Sequence, residues 1–354
     1  MRIFLTGGTG FLGSHIVEAA LRECHEVRAV ARPTADTRHL EAVGAEVVRG
    51  DLNDQPSLRA GAAGCDVVIH AAGKVGDWGP WREYYEQNVR ASRRVYDAAV
   101  DAGVRRAVHV SSVAVYGKKT LRRGPVDETM GPVPAGRLPR WYCYGRAKSL
   151  AETLAMQYQR AGLLKVTVVR PGWVYGPRDR TSLARLLPVI EKHSMRCIGD
   201  GSNLLRLTYV ADVADAILLA ATQEAAVGEA FNVSGEEKVT QRQYLDALAD
   251  MLHAPRVSRS ISYHVALALA AALETAHRLS GIRRRPFMTR QAVMLLALPH
   301  PFVAFKIRER LGWAPRVDFA GAIERIKAWW QNEPCAASAF TWDESREPEQ
   351  VQVS

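Results

Sequence analysis

Two tyrosines lie close ahead of a lysine in the stretch RWYCYGRAK, and their spacing bears on which of them could do acid–base chemistry. Residues four apart share one face of a helix, so Tyr144 would lie above Lys148 and Tyr142 above Arg146. A tyrosine with an ordinary pKa near 10 needs about 4 kcal/mol of preferential phenolate stabilisation to act as a base near neutral pH. A lysine ammonium one turn away supplies part of it, but an arginine could also contribute. The spacing alone therefore leaves both tyrosines open.

A glycine-rich segment, TGGTGFLG, lies between the first apolar run and the first helical stretch. Its glycines recur every three residues, which permits a tight turn and a close approach of the backbone to a pyrophosphate at the helix N-terminus. This context predicts a dinucleotide-binding turn. The residues expected to contact the cofactor here are Gly7, Thr9, Gly10, Phe11, Leu12 and Gly13.

Further candidate cofactor contacts follow the ends of other predicted strands. Asp51 in GDL could accept a hydrogen bond from the adenine amino group, and HAAG closes the next strand. The second strand ends at Ala31 and Arg32, where an acidic residue would bind the ribose of NAD and an arginine pairs with the 2′-phosphate of NADP. We therefore expect NADP to be preferred over NAD. The expected contacts in these segments are Arg32, Asp51, Leu52, Ala71, Ala72 and Gly73.

The elements that position these residues alternate between short Val- and Ile-rich runs and amphipathic helical stretches. Strand-length runs include RIFLTG, EVRAVAR, DVVIHAA and KVTVVRP, and helical spacing occurs in stretches such as FLGSHIVEAALREC. This alternation predicts an α/β fold, a Rossmann doubly wound parallel sheet covered by helices, over residues 1–177. We expect a substrate loop at about 118–141. A smaller, mainly helical substrate lobe is expected over 178–332, with some segments returning to the sheet domain, and a flexible tail over 333–354.

Composition excludes several classes of protein. The 354-residue chain has 47% hydrophobic and 24% charged residues, which is typical of a globular protein. We expect a cytoplasmic location, because no signal-peptide pattern precedes the first strand and the most apolar helical stretch falls short of the roughly 20 residues that span a bilayer. Five scattered cysteines predict neither a disulfide framework nor a metal site. The net charge of +10 accompanies no nucleic-acid-binding motif, so we expect no nucleic acid partner.

The ordered set TGGTGFLG, GDL, HAAG, NV at Asn88, VSSVAVYG, YGRAK and RPGWVYGP resembles the extended short-chain dehydrogenase/reductase family over nearly the whole chain. That family uses a catalytic Ser or Thr, Tyr and Lys, and the resemblance places these roles on Ser112, Tyr144 and Lys148. Tyr144 would exchange a proton with the substrate oxygen, and Ser112 would hydrogen-bond the same oxygen. Lys148 would bind the nicotinamide ribose and lower the pKa of the tyrosine. The resemblance also implies that Pro171 and Val174 contact the nicotinamide.

The same resemblance bears on the substrate. Sugar-nucleotide members of the family typically carry an arginine ahead of a V-x-D segment, and in NLLRLTYVADVADA that position falls on Leu205, with Arg206 one step away. The segments HAAGKVGDWGPW and RPFMTRQAVMLLALPH resemble instead the 3β-hydroxysteroid dehydrogenase branch. That branch includes sterol-4-carboxylate dehydrogenases and bacterial reductases of long-chain β-keto acids. The expected substrate contacts are Lys74, Trp78, Tyr116 and Arg206.

We therefore expect an NAD(P)-dependent oxidoreductase that interconverts a secondary alcohol and a ketone on a steroid, a sterol or a long-chain β-keto acid. A nucleotide-sugar epimerase, dehydratase or reductase stays open as the alternative, and a non-catalytic dinucleotide-sensing protein is disfavoured by the intact catalytic set. Residues 256–330 combine apolar helical stretches with thirteen Lys or Arg against four Asp or Glu. Apolar stretches with an excess of basic residues suit the binding of a lipophilic acid as substrate or of an anionic lipid surface. Peripheral membrane contact therefore stays open. A homodimer is also left open.

Overall fold

The centre of the structure, a computed structural model that describes residues 1–117 and 124–332, is a parallel sheet of seven strands. Its strands are β1 (Arg2–Thr6), β2 (Glu26–Ala31), β3 (Glu46–Arg49), β4 (Val67–His70), β5 (Arg106–Val110), β6 (Lys165–Pro171) and β11 (Ala230–Val233). Two-residue and three-residue strands form small separate pairs, and they are β7 (Trp173–Tyr175), β8 (Cys197–Ile198), β9 (Leu204–Leu205), β10 (Leu207–Tyr209), β12 (Val239–Thr240) and β13 (Ser260–Ile261). The order across the large sheet is β11–β6–β5–β4–β1–β2–β3.

Helices cover both faces of this sheet and continue into the C-terminal part. Their bounds are α1 (Phe11–Arg22), α2 (Arg38–Ala42), α3 (Gln55–Ala62), α4 (Trp81–Tyr84), α5 (Ala91–Asp101), α6 (Cys143–Arg160), α7 (Leu183–Glu191), α8 (Val210–Thr222), α9 (Gln241–Met251), α10 (Tyr263–Leu279), α11 (Arg290–Ala297), α12 (Phe305–Leu311) and α13 (Phe319–Asn332). One face carries α1 and α8, and the other carries α3, α5 and α6. The predicted Rossmann doubly wound fold is confirmed.

The central strand β1 shows why its sequence is apolar throughout. Ile3 and Leu5 pack into the core with α1 and α8, whereas Phe4 packs into the core on the opposite face. Successive side chains of a strand point to opposite faces, so a strand covered on both sides needs a continuous apolar run. The strand order reverses here, because β1 pairs with β2 on one side and with β4 on the other. Open α/β sheets bind ligands at the carboxyl ends of the strands beside such a reversal.

The C-terminal part adds two further apolar clusters. One joins α7, α9 and α13 to the aromatic side chains of β7, and the other joins α10 to α11. Strand β11 pairs with β6, and α8 and α12 pack in the core of the sheet, so these segments lie in the sheet layers. The predicted boundary between the sheet domain and the substrate lobe at residue 177 stays a prediction. The predicted tail and residues 118–123 of the predicted substrate loop lie outside the described residues.

A buried ion pair joins α6 to β6. Arg170 donates from Nε to Glu152 Oε2 at 3.1 Å, and the two side chains are 3% and 2% exposed. The hydroxyl of Ser111 donates to the same carboxylate at 2.6 Å, and Arg170 Nη1 donates to the Tyr116 hydroxyl at 2.6 Å. A buried charge that loses its partner is strongly unfavourable, so this pair fixes α6 against the sheet.

We predict that Arg170→Met lowers the free energy of unfolding by about 3–5 kcal/mol, because it leaves the Glu152 carboxylate buried without its partner. Urea denaturation followed by circular dichroism measures the change. The matched control is Arg256→Met, since Arg256 pairs with Asp250 at 2.8 Å where both side chains are largely exposed. The control should leave the urea midpoint nearly unchanged, and equal midpoints for the two variants would contradict the prediction.

Candidate active site

A cavity of about 1750 Å³ runs along the carboxyl ends of the sheet strands and on between the C-terminal helices. Small-molecule sites usually enclose about 300–1,000 Å³, so this space can hold two ligands side by side. Its walls come from the turns after β1 to β6 at one end and from residues of α7, α10 and α11 at the other. This arrangement suits a dinucleotide at the sheet and a second molecule among the helices.

The turn after β1 has the geometry of a phosphate-binding loop. Gly7 has φ +82°, a left-handed conformation that favours glycine. A Cβ on Gly13 would overlap the carbonyl oxygen of Gly7, so only glycine allows α1 to start this close to the turn. Gly10 precedes α1 and offers no side-chain cap, which leaves the N–H groups of the first helical turn available to an anion.

The structure brings together all the residues that the sequence predicts as cofactor contacts. They line the same cavity and are Gly7, Thr9, Gly10, Phe11, Leu12, Gly13, Arg32, Asp51, Leu52, Ala71, Ala72, Gly73, Tyr144, Lys148, Pro171 and Val174. Arg32 follows β2 and is exposed, and Asp51 lies just after β3. The polar side chains beyond the ends of β2 and β3 and the glycine turn after β1 fit a dinucleotide. The role of each residue stays a prediction.

Ser112 and Tyr144 meet at the middle of the cavity. Ser112 lies just beyond the end of β5 and Tyr144 lies in the first turn of α6, so these two elements position the pair. Burial raises the pKa of Tyr144, and a hydrogen bond with the Ser112 side chain lowers it in part. The protein alone therefore keeps the phenol protonated, as a proton donor to a carbonyl oxygen requires.

Tyr142 also lines the cavity, but its side chain packs against neighbouring residues of the protein. It precedes the first residue of α6, its side chain is buried, and its ring packs edge to face on Trp141 at 5.8 Å. Arg146, its expected neighbour at helical spacing, stacks on Trp81 with the guanidinium carbon 4.3 Å from the ring centroid. Burial raises the pKa of Tyr142. The geometry thus favours Tyr144 as the acid–base group.

Lys148 is held in a buried position one helical turn after Tyr144 and lines the same cavity. Its Nζ donates to the carbonyl oxygen of Val110 at 2.8 Å, and an ideal Cβ on Gly73 would lie 3.8 Å from the same Nζ. Burial lowers the pKa of Lys148 to about 8, and attraction to Glu152 opposes this shift. The ammonium therefore carries its charge at neutral pH but holds its proton less firmly than an exposed lysine.

Asn88 holds the loop after β4 by hydrogen bonds. It is not one of the predicted cofactor or substrate contacts. It lies within a π-helical turn, Tyr85–Arg90, and donates from Nδ2 to the carbonyl oxygens of Tyr84 at 3.0 Å and Lys74 at 3.3 Å. A Cβ on Gly73 would overlap Asn88 Oδ1, so this close approach requires glycine.

Two predicted substrate contacts from the loop after β4 do not line the cavity. Lys74 is engaged by Glu83, with Nζ and Oε2 2.8 Å apart. The indole of Trp78 donates to the carbonyl oxygen of Arg283 at 2.9 Å. Both side chains hold neighbouring segments of the protein, and their role as substrate contacts stays a prediction that this geometry does not favour.

The other two predicted substrate contacts are also placed elsewhere. Tyr116 is fully buried, and its hydroxyl donates to Asn232 Oδ1 at 2.7 Å. Arg206 does not line the cavity, and neither does any residue in the described part of the predicted substrate loop, 124–141. The role of Tyr116 and Arg206 as substrate contacts also stays a prediction that the geometry does not favour, and a sequence motif does not reveal which way its side chains face.

The far end of the cavity is formed by residues that the sequence analysis missed. Its apolar lining includes Leu186, Val189, Met195, Leu269, Leu273, Phe287, Met288 and Met294. Charged residues also occur in this lining, among them Asp77, Arg185 and Arg285. A lone arginine in the otherwise apolar stretch LARLLPVI of α7 is the signal that could have identified Arg185.

Comparisons with known proteins agree with this geometry. The model of the NAD dependent epimerase/dehydratase family matches residues 3–234. The chain is 32% identical over 337 residues to the 2-alkyl-3-oxoalkanoate reductase of Stenotrophomonas maltophilia (strain K279a), covering 93% of this chain and 99% of that protein. It is 28% identical over 361 residues to the 3beta-hydroxysteroid-dehydrogenase/decarboxylase isoform 1 of Arabidopsis thaliana, covering 93% of this chain and 81% of that protein.

The solved structure of DesIV, a dTDP-glucose 4,6-dehydratase from Streptomyces venezuelae with NAD and TYD bound, matches with a TM-score of 0.73 and 25% identity, covering 94% of this chain and 98% of that one.

The burial of Lys148 gives a prediction for the free protein. We expect a lysine ε-carbon resonance that titrates with a pKa of about 8, because burial disfavours the ammonium. Titration of protein labelled with ¹³C-lysine, followed by NMR, measures it, and Lys148→Met assigns the signal by removing it. The account would be wrong if the assigned signal titrated only near the ordinary lysine pKa of about 10.4.

Proposed function

The chain belongs to the NAD dependent epimerase/dehydratase family, and from this premise we propose that it interconverts a hydroxyl and a keto group on a long-chain 3-oxo acid or a 3β-hydroxysteroid. It is an NAD(P)-dependent oxidoreductase, and its predicted likeness to the 3β-hydroxysteroid dehydrogenase branch is confirmed. The observation that carries the proposal is the pairing of Ser112 with Tyr144, one helical turn from Lys148, in a cavity whose far end is apolar.

The three polar residues would divide the work of the reduction. Tyr144 donates its proton to the substrate carbonyl oxygen, and the Ser112 hydroxyl hydrogen-bonds the same oxygen. Lys148 would stabilise the resulting phenolate and hold the nicotinamide ribose, and its hydrogen bond to the Val110 carbonyl, which fixes Nζ, supports this role. The bound dinucleotide supplies the hydride. In the oxidation direction the same groups act in reverse.

The cofactor end of the cavity supports a preference for NADP. Arg32 is exposed immediately beyond the end of β2, where its guanidinium can pair with a 2′-phosphate through two hydrogen bonds. The N–H groups of the first turn of α1 would bind the pyrophosphate, and Asp51 could accept from the adenine amino group.

A nucleotide-sugar reaction is the second candidate, and the likeness of the fold to DesIV favours it. That reaction needs a cation for the diphosphate of its substrate. Leu205 is fully buried and Arg206 does not line the cavity, so neither residue at the motif position supplies that cation, although other arginines, among them Arg185, line the cavity. The apolar lining of the far end favours a lipid body instead.

Absorbance at 340 nm tests the proposed reaction directly. Long-chain 3-hydroxy acids and 3β-hydroxysteroids should reduce NADP⁺ faster than NAD⁺, whereas UDP-glucose and dTDP-glucose should support no turnover. Tyr144→Phe should lower kcat by about 10²–10⁴-fold, as expected for a lost proton-transfer group, while calorimetry shows NADP⁺ still bound. Tyr142→Phe is the matched control and should lower kcat much less. The reverse order of the two variants, or turnover of a sugar nucleotide alone, would refute the proposal.

A second part of the proposal concerns the exposed side of α10. Its buried side is narrow, and an apolar stripe at helical spacing faces outward. The stripe consists of Val265, Ala268, Leu269, Ala272, Leu273, Ala276 and Leu279. Leu269 and Leu273 also line the cavity, so the stripe is continuous with the space proposed for the substrate. Contiguous exposed apolar surface of this kind marks an interaction site.

Basic residues accompany this stripe and indicate what covers it. Arg278, Arg283 and Arg284 are exposed at the C-terminal end of α10 and in the turn that follows. We propose that the stripe lies on an anionic bilayer, from which a lipophilic substrate enters the cavity. No helix in residues 1–117 and 124–332 is long and apolar enough to cross a membrane.

We predict that the protein sediments with phosphatidylcholine vesicles containing phosphatidylserine, and that added salt weakens the binding because the basic residues are exposed. The double variant Val265→Glu/Leu279→Glu should lower the bound fraction at least several-fold, since it places charge on the stripe. Leu163→Glu is the matched control, because Leu163 is an exposed leucine outside the stripe. Equal sedimentation of the two variants would argue against the bilayer as the partner.

A further inference from the structure

A charged cluster interrupts the apolar end of the cavity, and Asp77 is at its centre. Asp77 is 5% exposed, and Arg285 contacts both its oxygens, with Nε 2.7 Å from Oδ1 and Nη2 2.6 Å from Oδ2. The hydroxyl of Thr289 donates to Oδ2 at 2.5 Å. One arginine and one hydroxyl therefore satisfy this carboxylate.

Arg285 has its hydrogen-bonding capacity used within the protein. Besides the two bonds to Asp77, its Nη1 donates to the carbonyl oxygens of Pro286 at 2.9 Å and Phe287 at 3.2 Å. Its Nη2 also donates to the Thr289 hydroxyl at 3.4 Å. A guanidinium has five N–H donors, so Arg285 has none to spare for a ligand.

Arg185 is the surplus cation of the cluster. Its Nη1 donates to Asp77 Oδ1 at 3.2 Å, the one hydrogen bond that its side chain makes within the described residues, and 38% of that side chain is exposed. Most of its donors thus remain available at the cavity wall. Burial lowers the pKa of Arg185 even though Asp77 attracts its charge, which indicates incomplete compensation. Two guanidinium groups and one carboxylate leave a net positive charge in a largely apolar space, where an unpaired charge is costly.

The cluster is close to the catalytic residues, because a short stretch of chain connects Asp77 to Gly73. Asp77 follows Gly73 by four residues, so their Cα atoms are at most about 14 Å apart. Gly73 in turn is next to Lys148, since its ideal Cβ would lie 3.8 Å from Nζ. The cluster and the catalytic lysine are therefore at two ends of one short loop.

The position of Tyr84 also indicates that Arg185 is near Tyr144. An ideal Cβ on Gly76 would lie 3.8 Å from both Arg185 Nη2 and the Tyr84 hydroxyl, so these two groups flank the same residue. Burial raises the pKa of Tyr84, and Tyr144 and Arg185 are both near enough to shift it further, in opposite directions. Arg185 thus lies near the Tyr84 hydroxyl, and Tyr144 is near enough to act on that hydroxyl electrostatically.

From this geometry we infer that Arg185 binds a carboxylate of the substrate and selects acids whose carboxylate lies close to the reacting carbon. The inference rests on the proposed function. A guanidinium binds a carboxylate through two parallel hydrogen bonds, which fixes its orientation as well as its position. In a 3-hydroxy or 3-oxo acid the carboxylate is two bonds from the reacting carbon, so Arg185 would orient that carbon toward Tyr144. The apolar lining then takes the tail.

A matched pair of substrates tests this assignment. Purified enzyme is assayed in the oxidation direction with NADP⁺ and either 3-hydroxydodecanoate or its methyl ester, which differ in charge but hardly in shape. Wild-type enzyme should favour the acid in kcat/KM by at least about ten-fold, since a charge-assisted bidentate contact is lost in the ester. Arg185→Gln should lower the acid-to-ester ratio by about 10–100-fold, mainly through KM for the acid. Arg185→Lys should restore part of the ratio, because it restores the charge but not the bidentate contact.

Arg196→Gln is the comparison variant, because Arg196 lines the same cavity outside the cluster. It should keep the wild-type ratio, and a loss of the ratio in Arg196→Gln rather than Arg185→Gln would overturn the assignment. Turnover of acid and ester with equal kcat/KM by the wild type would also overturn it while leaving the proposed function in place.

Binding to the wild-type protein separates the inference from the proposed function. Calorimetric titration with dodecanoate and with methyl dodecanoate, in the presence of NADP⁺, needs no turnover and no variant. Tighter binding of the acid by at least about ten-fold supports the inference even if neither hydroxy compound reacts, in which case only the proposed function fails. Equal affinity for acid and ester would refute the inference.

Discussion

The buried ammonium of Lys148 is the constraint on which the arrangement of the site depends. Because its Nζ donates to the carbonyl oxygen of Val110, α6 must lie against the end of β5, and this contact brings Tyr144 beside Ser112. Glu152 lies one turn further along α6, where its buried ion pair holds the same helix on β6. A charge in this position tolerates little movement, since any displacement would remove the few groups that compensate its burial. The rigidity of the acid–base pair is therefore a consequence of the electrostatics of the helix that carries it.

The cavity changes in character from one end to the other, and the change matches the proposed ligands. The glycine turn and the strand ends offer N–H groups and the exposed charge of Arg32 to a dinucleotide. The helices at the far end offer apolar side chains, and the outward stripe of α10 continues them toward the surface. Arg185 lies among the apolar residues of the far end with its charge incompletely compensated. A molecule with an apolar tail and an acidic head near its reacting carbon is complementary to this sequence of surfaces.

The fold and the cofactor end could be predicted from sequence because their signals are local. Gly7 and Gly13 fall within one strand–turn–helix segment, and Tyr144 and Lys148 within one helical turn. The substrate end could not be predicted, because its residues come from distant parts of the chain and meet only in the fold. Asp77 and Arg285 are an example, since the bond between them crosses 208 positions. Tyr116 illustrates the converse limit, because it belongs to a recognisable motif and yet packing directs its side chain into the protein interior.

A structure of the protein with NADP⁺ and a long-chain 3-hydroxy acid bound tests the central claim most directly. The account predicts that the hydroxyl oxygen of the acid lies within hydrogen-bonding distance of both Ser112 and Tyr144. It also predicts that the carboxylate is paired with Arg185 and that the tail lies among the apolar residues of α10 and α11. An acid whose hydroxyl lies away from Tyr144, or whose carboxylate faces solvent or another cation, would contradict the account.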